Sequence, residues 1–188
     1  MSARGDVLLI VQALAFASEH HASQRRKGDA GEPYINHLAE VADLVGLATR
    51  GEDPHLVAAA LLHDVVEDQG VSVDELQRLF GEEVAAVVGE VSDDKTLPKA
   101  ERKRLQIELT PKKSERARLL KLADKTSNLR SMRVSPPSGW SLERRREYLA
   151  WARSVANGTR GLSPWLEQRF DEAAAALEAT LNGTGERR

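Results

Sequence analysis

The chain has 188 residues, with 27 lysines and arginines against 29 aspartates and glutamates, so its formal net charge is −2. This balance excludes the strong positive charge of a general nucleic-acid-binding protein, and no apolar run approaches the ~20 residues of a membrane span. Cysteine is absent, which excludes disulfides and thiolate metal sites and suits a cytoplasmic location, the one we expect. Few aromatic residues and many alanines and leucines favour a core of packed helices.

The first predicted helix covers residues 6–22, and a glycine-containing loop follows it. Its inward residues are predicted to be Leu9, Ala13, Leu14, Phe16 and Ala17. The loop begins with the consecutive cations Arg25, Arg26 and Lys27. Such a run is either a solvated turn or a phosphate-binding edge, because guanidinium groups match phosphate oxygens and a lysine adds a point charge.

The second helix is predicted to open at Pro33–His37 and to end near Thr49, with His37 at its start. A lone histidine at such a position is more often structural than a metal ligand. The third helix is predicted to begin at Asp53-Pro54, because aspartate caps helices and proline suits the first helical position. It is predicted to continue to Gln69-Gly70 as one helix.

The third predicted helix contains the most informative stretch of the chain, residues 58–68. An apolar run there ends in four ionisable residues: His63, Asp64, Glu67 and Asp68. On one helix, residues four positions apart share a face. Burying carboxylates is costly without compensation, and a divalent metal compensates a group of histidine and carboxylate side chains. The stretch therefore predicts a metal site built from histidine and carboxylate ligands.

The remaining helices are predicted at residues 72–80, 82–91, 99–109, 114–134, 141–157 and 163–181. Polar or breaker segments separate several of them, most clearly Ser135–Gly139. In the long helix after Ser114, Asp124 and Asn128 stack four positions apart along an apolar edge. That pair indicates either an internal hydrogen bond or salt bridge, or a polar part of a site. We expect one all-α domain over residues 1–188, with a core at about 6–180 and a frayed tail at 182–188.

The order of these segments resembles the HD superfamily of metal-dependent phosphohydrolases, which is named for an adjacent His-Asp pair such as His63-Asp64. The surrounding sequence resembles the hydrolase domain of SpoT/RelA proteins, most closely the stand-alone small alarmone hydrolases of the Mesh-type branch. The resemblance covers residues 6–180 and is carried by these segments: Gln24–Lys27, Pro33–His37, Ala59–Asp68, Phe80-Gly81, Val91–Lys99 and Lys121–Arg130.

The resemblance implies an HD-domain helical bundle with a metal between its helices. The implied metal ligands are His37, His63, Asp64 and Asp124. In this family the ion is typically Mn²⁺, with Zn²⁺ and Fe²⁺ as alternatives that the ligand chemistry also suits. The resemblance further implies that Glu67 and Asp68 position and activate the attacking water.

The implied substrate is the alarmone guanosine 3′,5′-bis(diphosphate), ppGpp, or its pentaphosphate relative, with release of pyrophosphate from the 3′ position. Implied substrate contacts are Arg26, Lys27, Lys99, Asn128, Trp140 and Tyr148. Trp140 can equally stack on a base or cap the bundle. Because the chain has no room for the synthetase domain of long SpoT/RelA proteins, we expect degradation only.

Two alternatives remain open on the sequence. One is a phosphatase acting on another nucleotide, such as the 2′-phosphate of NADPH. The other is a non-catalytic nucleotide-binding HD module, although the chain retains all six predicted metal and catalytic residues. We expect no nucleic-acid or membrane partner, and the sequence leaves the oligomeric state open.

Overall fold

The structure, a computed structural model, describes residues 3–183 and consists of ten α-helices over that range. The helices are α1 (Ala3–His20), α2 (Ile35–Ala48), α3 (Pro54–Leu62), α4 (Val65–Gln69), α5 (Val73–Phe80), α6 (Glu82–Val91), α7 (Lys99–Leu109), α8 (Glu115–Val134), α9 (Leu142–Asn157) and α10 (Pro164–Gly183). A 3₁₀ turn, Thr110–Lys112, follows α7. Only isolated β-bridges occur in this range, which confirms the all-α prediction.

Helix starts follow the capping residues visible in the sequence. The side chains of Asp53, Ser72 and Ser114 accept hydrogen bonds from backbone N–H groups in the first turns of α3, α5 and α8. Each of these bonds satisfies a backbone donor that the helix itself leaves free. At the other end of the chain, α10 continues to Gly183, two residues into the predicted tail, and residues 184–188 lie outside the described range.

The core is centred on α3, which packs against α1, α2, α6 and α8. Its alanines Ala58, Ala59 and Ala60 are fully buried, and small side chains let several helices approach one axis closely. On α1, Leu9, Ala13 and Ala17 face this core. Leu14 does not: the prediction that it points inward is wrong, because its position on the helix places it on the solvent side, 40% exposed. In the described range no helix combines the length and apolarity that crossing a bilayer requires.

The predicted single helix from Asp53 to Gln69 is interrupted, and this prediction is wrong. The chain turns at His63 and Asp64, so that α3 ends at Leu62 and α4 begins at Val65. Two contacts hold this turn: the His63 ring nitrogen Nδ1 lies 2.8 Å from the Ala60 carbonyl oxygen, and the Tyr34 hydroxyl donates to Asp64 at 2.6 Å. The His-Asp pair therefore lies at a corner of the chain instead of along one helix face.

The basic loop after α1 is packed against the segment that follows α8. Gly28 forms an isolated bridge with Pro137, and a Cβ atom on Gly28 would lie 2.3 Å from the Ser135 carbonyl oxygen. The Ala30 backbone N–H also donates to the Ser135 hydroxyl at 3.0 Å. Only glycine fits at position 28, because any side chain would collide with this backbone. The close contact fixes the cations of the basic loop beside the end of α8.

Candidate active site

Two histidines and one aspartate from three parts of the chain meet at the buried end of a cleft. His37 comes from α2, His63 from the turn after α3 and Asp124 from α8, and one ligand-capable atom of each lies within 4.8 Å of the others. His37 Nε2 is 3.3 Å from Asp124 Oδ1, and His63 Nε2 is 3.9 Å from the same oxygen. Helix packing therefore brings together residues that are far apart in the sequence.

Asp64, the fourth predicted metal ligand, borders this group. Its Oδ2 atom lies 3.1 Å from His63 Nε2 and 3.8 Å from His37 Nε2. The same oxygen accepts the hydrogen bond from Tyr34. The structure thus brings all four predicted ligands together, and it adds a buried hydroxyl that orients one of them.

Hydrogen bonds to the far side of each imidazole leave both Nε2 atoms available. His63 Nδ1 faces the Ala60 carbonyl, which can only accept, so Nδ1 carries the proton. His37 Nδ1 lies 2.9 Å from the Ser127 hydroxyl, whose own proton goes to the Glu40 carboxylate at 2.7 Å. Ser127 therefore accepts from His37 Nδ1. This pattern of oriented imidazoles is the one that outer hydrogen-bond partners give to metal-binding histidines.

The electrostatics of the cluster favour positive charge beside its carboxylates. Burial lowers the pKa of His37, so its imidazole is neutral. Burial also opposes charge on His63, but the nearby Asp64 and Asp124 carboxylates outweigh it and raise the pKa of His63 to about 9. In the metal-free chain a proton on His63 therefore balances part of the carboxylate charge.

The donor set fits a divalent metal. The His63 Nε2 atom is buried and has no hydrogen-bond partner, despite its short distance to Asp64. Two imidazole nitrogens and two carboxylates suit Mn²⁺, Fe²⁺ or Zn²⁺. A metal bound there would replace the proton on His63, so metal and proton compete and acid weakens metal binding.

Glu67 and Asp68, on α4, lie beside the cluster in different environments. Glu67 Oε1 accepts the Asp93 backbone N–H at 2.6 Å, and Oε2 lies 3.9 Å from the Lys95 ammonium. Burial raises the pKa of Glu67, with partial offset from the Asp93 hydrogen bond. Asp68 instead has both oxygens occupied, one by Gln24 at 2.8 Å and one by Lys95 at 2.6 Å. Of the two, Glu67 has the freer carboxylate oxygen.

Two adjoining cavities, of about 460 and about 140 Å³, form the cleft. We call His37, His63, Asp64 and Asp124 the metal-type cluster. His63, Asp64 and Asp124 of this cluster line the smaller cavity, and the larger cavity adjoins it at Asp64. Their shared lining residues are Tyr34, Asp64, Glu67, Asp93, Gln106 and Asn128. The larger volume suits a nucleotide-sized ligand.

All six predicted substrate residues line the larger cavity: Arg26, Lys27, Lys99, Asn128, Trp140 and Tyr148. Asn128 donates to Asp124 Oδ1 at 2.5 Å and accepts from Arg26 at 3.1 Å. The polar pair on α8 is therefore an internal hydrogen bond that also connects the basic loop to the metal-type cluster. Trp140 and Tyr148 contact each other, with ring centroids 5.8 Å apart, in the wall of the cavity.

Sequence reasoning assigned no role to several residues that the structure places in the cleft. They are Tyr34, Lys95, Arg102, Lys103, Lys125 and Trp151. Lys125 donates to Asp124 Oδ2 at 2.8 Å and lies 4.7 Å from the centre of the Trp151 ring. A signal existed for Tyr34, Lys95 and Lys125, which fall inside segments that carry the family resemblance. Arg102, Lys103 and Trp151 lie in ordinary helical patterns outside those segments.

Comparison with known proteins places the chain in a family. A family model described as HD domain matches residues 13–152, a range that includes every predicted site residue. The chain belongs to the HD domain family. This confirms the resemblance drawn from the His-Asp pair.

Several similar proteins that match most of the chain share one name. The guanosine-3′,5′-bis(diphosphate) 3′-pyrophosphohydrolase MESH1 of Drosophila melanogaster is 46% identical over 162 residues, which cover 86% of this chain and 90% of that protein. The Homo sapiens protein of the same name is 46% identical over 159 residues, which cover 85% of this chain and 89% of that protein. A solved structure described as a metazoan ortholog of SpoT that hydrolyses ppGpp has a TM-score of 0.85 at 44% identity, covering 92% and 94%. These matches confirm the resemblance to the Mesh-type branch.

Tyr34→Phe is expected to weaken divalent-metal binding to this HD domain by ~10–100-fold, the usual effect of losing a partner that orients a metal ligand. The change removes only the hydroxyl that donates to Asp64. Isothermal titration calorimetry of the metal-stripped protein with Mn²⁺ measures the change in metal affinity. Tyr148→Phe is the matched control and should leave metal affinity unchanged. Equal affinities for Tyr34→Phe and the wild type would show that the hydroxyl does not support Asp64.

Proposed function

We propose that the chain hydrolyses guanosine 3′,5′-bis(diphosphate) and releases pyrophosphate from the 3′ position, with Mn²⁺ as its cofactor. The observation that carries this proposal is the coincidence of three features in one cleft: a histidine–carboxylate cluster, a carboxylate of raised proton affinity beside it, and a basic, aromatic outer wall. The names of the MESH1 relatives support the same substrate.

The proposed metal ligands are His37, His63, Asp64 and Asp124, whose ligand atoms already converge. A divalent ion held by them supplies Lewis-acid stabilisation of phosphoryl oxygens and lowers the pKa of water. Mn²⁺ is the proposed ion because the family resemblance implies it, and a donor set of two imidazoles and hard carboxylate oxygens suits Mn²⁺ as well as Fe²⁺ and Zn²⁺.

Glu67 is the proposed general base. Its Oε1 is fixed by the Asp93 N–H, which leaves Oε2 to accept a proton from the attacking water. A raised pKa makes its carboxylate a better proton acceptor near neutral pH. Asp68 has a positioning role in this proposal, because Gln24 and Lys95 occupy its oxygens and it holds Lys95 beside Glu67.

The outer cleft is the proposed nucleotide site. Seven cations line the larger cavity: Arg25, Arg26, Lys27, Lys95, Lys99, Arg102 and Lys103. This concentration of positive charge suits a ligand with two diphosphate groups, since guanidinium and ammonium groups bind phosphate oxygens strongly. Trp140 and Tyr148 provide aromatic surface on which a purine can stack, while their packing against each other also closes the bundle. The cytoplasmic location stays a prediction.

Product analysis of the metal-stripped protein tests the proposed reaction. Incubation with the alarmone and Mn²⁺ should give pyrophosphate and guanosine 5′-diphosphate, and omission of the metal should give neither. Parallel incubations with Zn²⁺ or Fe²⁺ in place of Mn²⁺ show which ion supports the fastest product formation. Failure to form product with every divalent ion, together with retained alarmone binding, would favour a non-catalytic binding module.

A substrate panel separates the alarmone from other phosphorylated nucleotides. The ratio kcat/KM for the alarmone should exceed that for NADPH, because a second diphosphate matches more of the cations in the cleft. Release of inorganic phosphate from NADPH with the higher kcat/KM would instead identify the 2′-phosphate as the main target.

A further inference from the structure

The outward face of α1 carries the largest group of exposed apolar side chains on any described helix. Its members, with their exposed fractions, are Val7 (62%), Leu8 (56%), Val11 (55%) and Leu14 (40%). The other large exposed hydrophobic residues of the described range are distributed over five helices, with at most two on any one. Single exposed apolar residues are ordinary, but a continuous group on one helix marks a contact surface.

The exposed residues of α1 have the spacing of a helix–helix seam. Arg4, Leu8, Val11, Ala15 and Ser18 alternate in steps of four and three residues, and all five are exposed, with the three apolar residues in the middle and the two polar residues at the ends. This 3.5-residue repeat keeps one stripe of a helix against a partner helix. Leu8 and Val11 are its large members and Ala15 is a small one, so a second helix can approach closely. Val7 and Leu14 widen the stripe on one side.

We propose that this α1 face binds a second copy of the same chain, with the two α1 helices antiparallel about a two-fold axis near Val11. The charges at its ends favour this arrangement. Arg4 and Glu19 are both exposed, and the ion pairs between described residues include neither of them. In the antiparallel pairing, Arg4 of one copy lies beside Glu19 of the other, twice by symmetry. A parallel pairing would place like charges together, which is unfavourable.

Other occupants fit the face less well. A membrane-surface helix carries a band of lysines and arginines beside its apolar stripe, whereas α1 has only Arg4 and also contains Asp6 and Glu19. Residues 184–188 are Thr-Gly-Glu-Arg-Arg, which offer no apolar side chain to cover the stripe. The second copy supplies both the apolar surface and the complementary charges.

The size of the seam sets the expected affinity. A helix of 18 residues is ~27 Å long, and one helix pair buries less than a standard protein interface. We therefore expect a reversible dimer with a dissociation constant in the micromolar range, on the order of 10⁻⁶ to 10⁻⁴ M.

Sedimentation velocity across a concentration series tests the dimer independently of catalysis. The wild type should shift from monomer to dimer as concentration rises. Val11→Glu places two carboxylates together at the axis and should weaken dimerisation by on the order of 10²-fold or more. Leu47→Glu is the matched control: Leu47 is 54% exposed, as Val11 is 55%, but lies on α2, and its dimerisation should match the wild type. Circular dichroism checks that each variant is folded.

A charge exchange tests the antiparallel register. Arg4→Glu and Glu19→Arg should each weaken the dimer, and the two changes in one chain should restore it. A wild type that stays monomeric at every concentration, including one that binds lipid vesicles instead, would overturn the proposal. So would a Val11→Glu protein that dimerises like the wild type. If the variant with both changes does not dimerise more tightly than the two single variants, the antiparallel register is overturned.

Discussion

Asp64→Asn is expected to abolish metal binding and hydrolysis together. The amide keeps the size of the side chain, and its oxygen can still accept from Tyr34, but it lacks the negative charge that lies 3.1 Å from His63 Nε2. The loss of metal affinity should exceed the ~10–100-fold that follows removal of an outer hydrogen-bond partner. Metal analysis after gel filtration and turnover of the alarmone measure the two effects.

Thermal unfolding adds a readout for Asp64→Asn that does not depend on turnover. A ligand present at 100 times its dissociation constant stabilises a protein by about 2.7 kcal/mol. The wild type should therefore unfold at a higher temperature when Mn²⁺ is added, and Asp64→Asn should not respond. Asp68→Asn is the matched control, because Asp68 contacts Gln24 and Lys95 instead of the imidazoles, and its response to metal should be retained. A metal-dependent shift in Asp64→Asn would remove this residue from the ligand set.

Glu67→Gln is expected to lower kcat by ~10²–10⁴-fold while metal binding is retained, since a positioned general base contributes that much. The glutamine oxygen can still accept the Asp93 N–H, so the loop at Asp93 should keep its position. Asp68→Asn should lower kcat by a smaller factor, because both Asp68 oxygens already accept hydrogen bonds from Gln24 and Lys95. Steady-state kinetics at saturating Mn²⁺ measures both variants. Wild-type turnover by Glu67→Gln would exclude Glu67 as the base.

The pH dependence gives a second test of Glu67. Burial raises its pKa, and a general base acts only when ionised. The wild-type kcat should therefore fall as pH drops through this raised pKa, and the fall should begin at a higher pH than for an ordinary glutamate. In Glu67→Gln, the part of the acid limb that this carboxylate causes should disappear. An identical acid limb in both proteins would assign it to another group.

Local sequence signals predicted the helices well and failed where distant contacts decide the backbone. The capping residues Asp53, Ser72 and Ser114 act through N–H groups three residues away, so their effect is readable from the sequence. The break after Leu62 is different, because Tyr34, thirty residues earlier in the chain, holds Asp64. Periodicity continues through residues 63 and 64 and contains no sign of that contact.

The sequence by itself determined the composition of the site: two histidines, the carboxylates and the cations, in an order that resembles one family. It determined this because side-chain chemistry belongs to the residue, whatever the fold. The tertiary structure alone decided what each group can do. It brought the Ser127 hydroxyl to the His37 imidazole and the Asp93 N–H to the Glu67 carboxylate. It also brought the side chains of Gln24 and Lys95 to the Asp68 carboxylate. Proton position, proton affinity and the free oxygen of Glu67 follow from these contacts, which join segments 26 to 90 residues apart and exist only once the helices have packed.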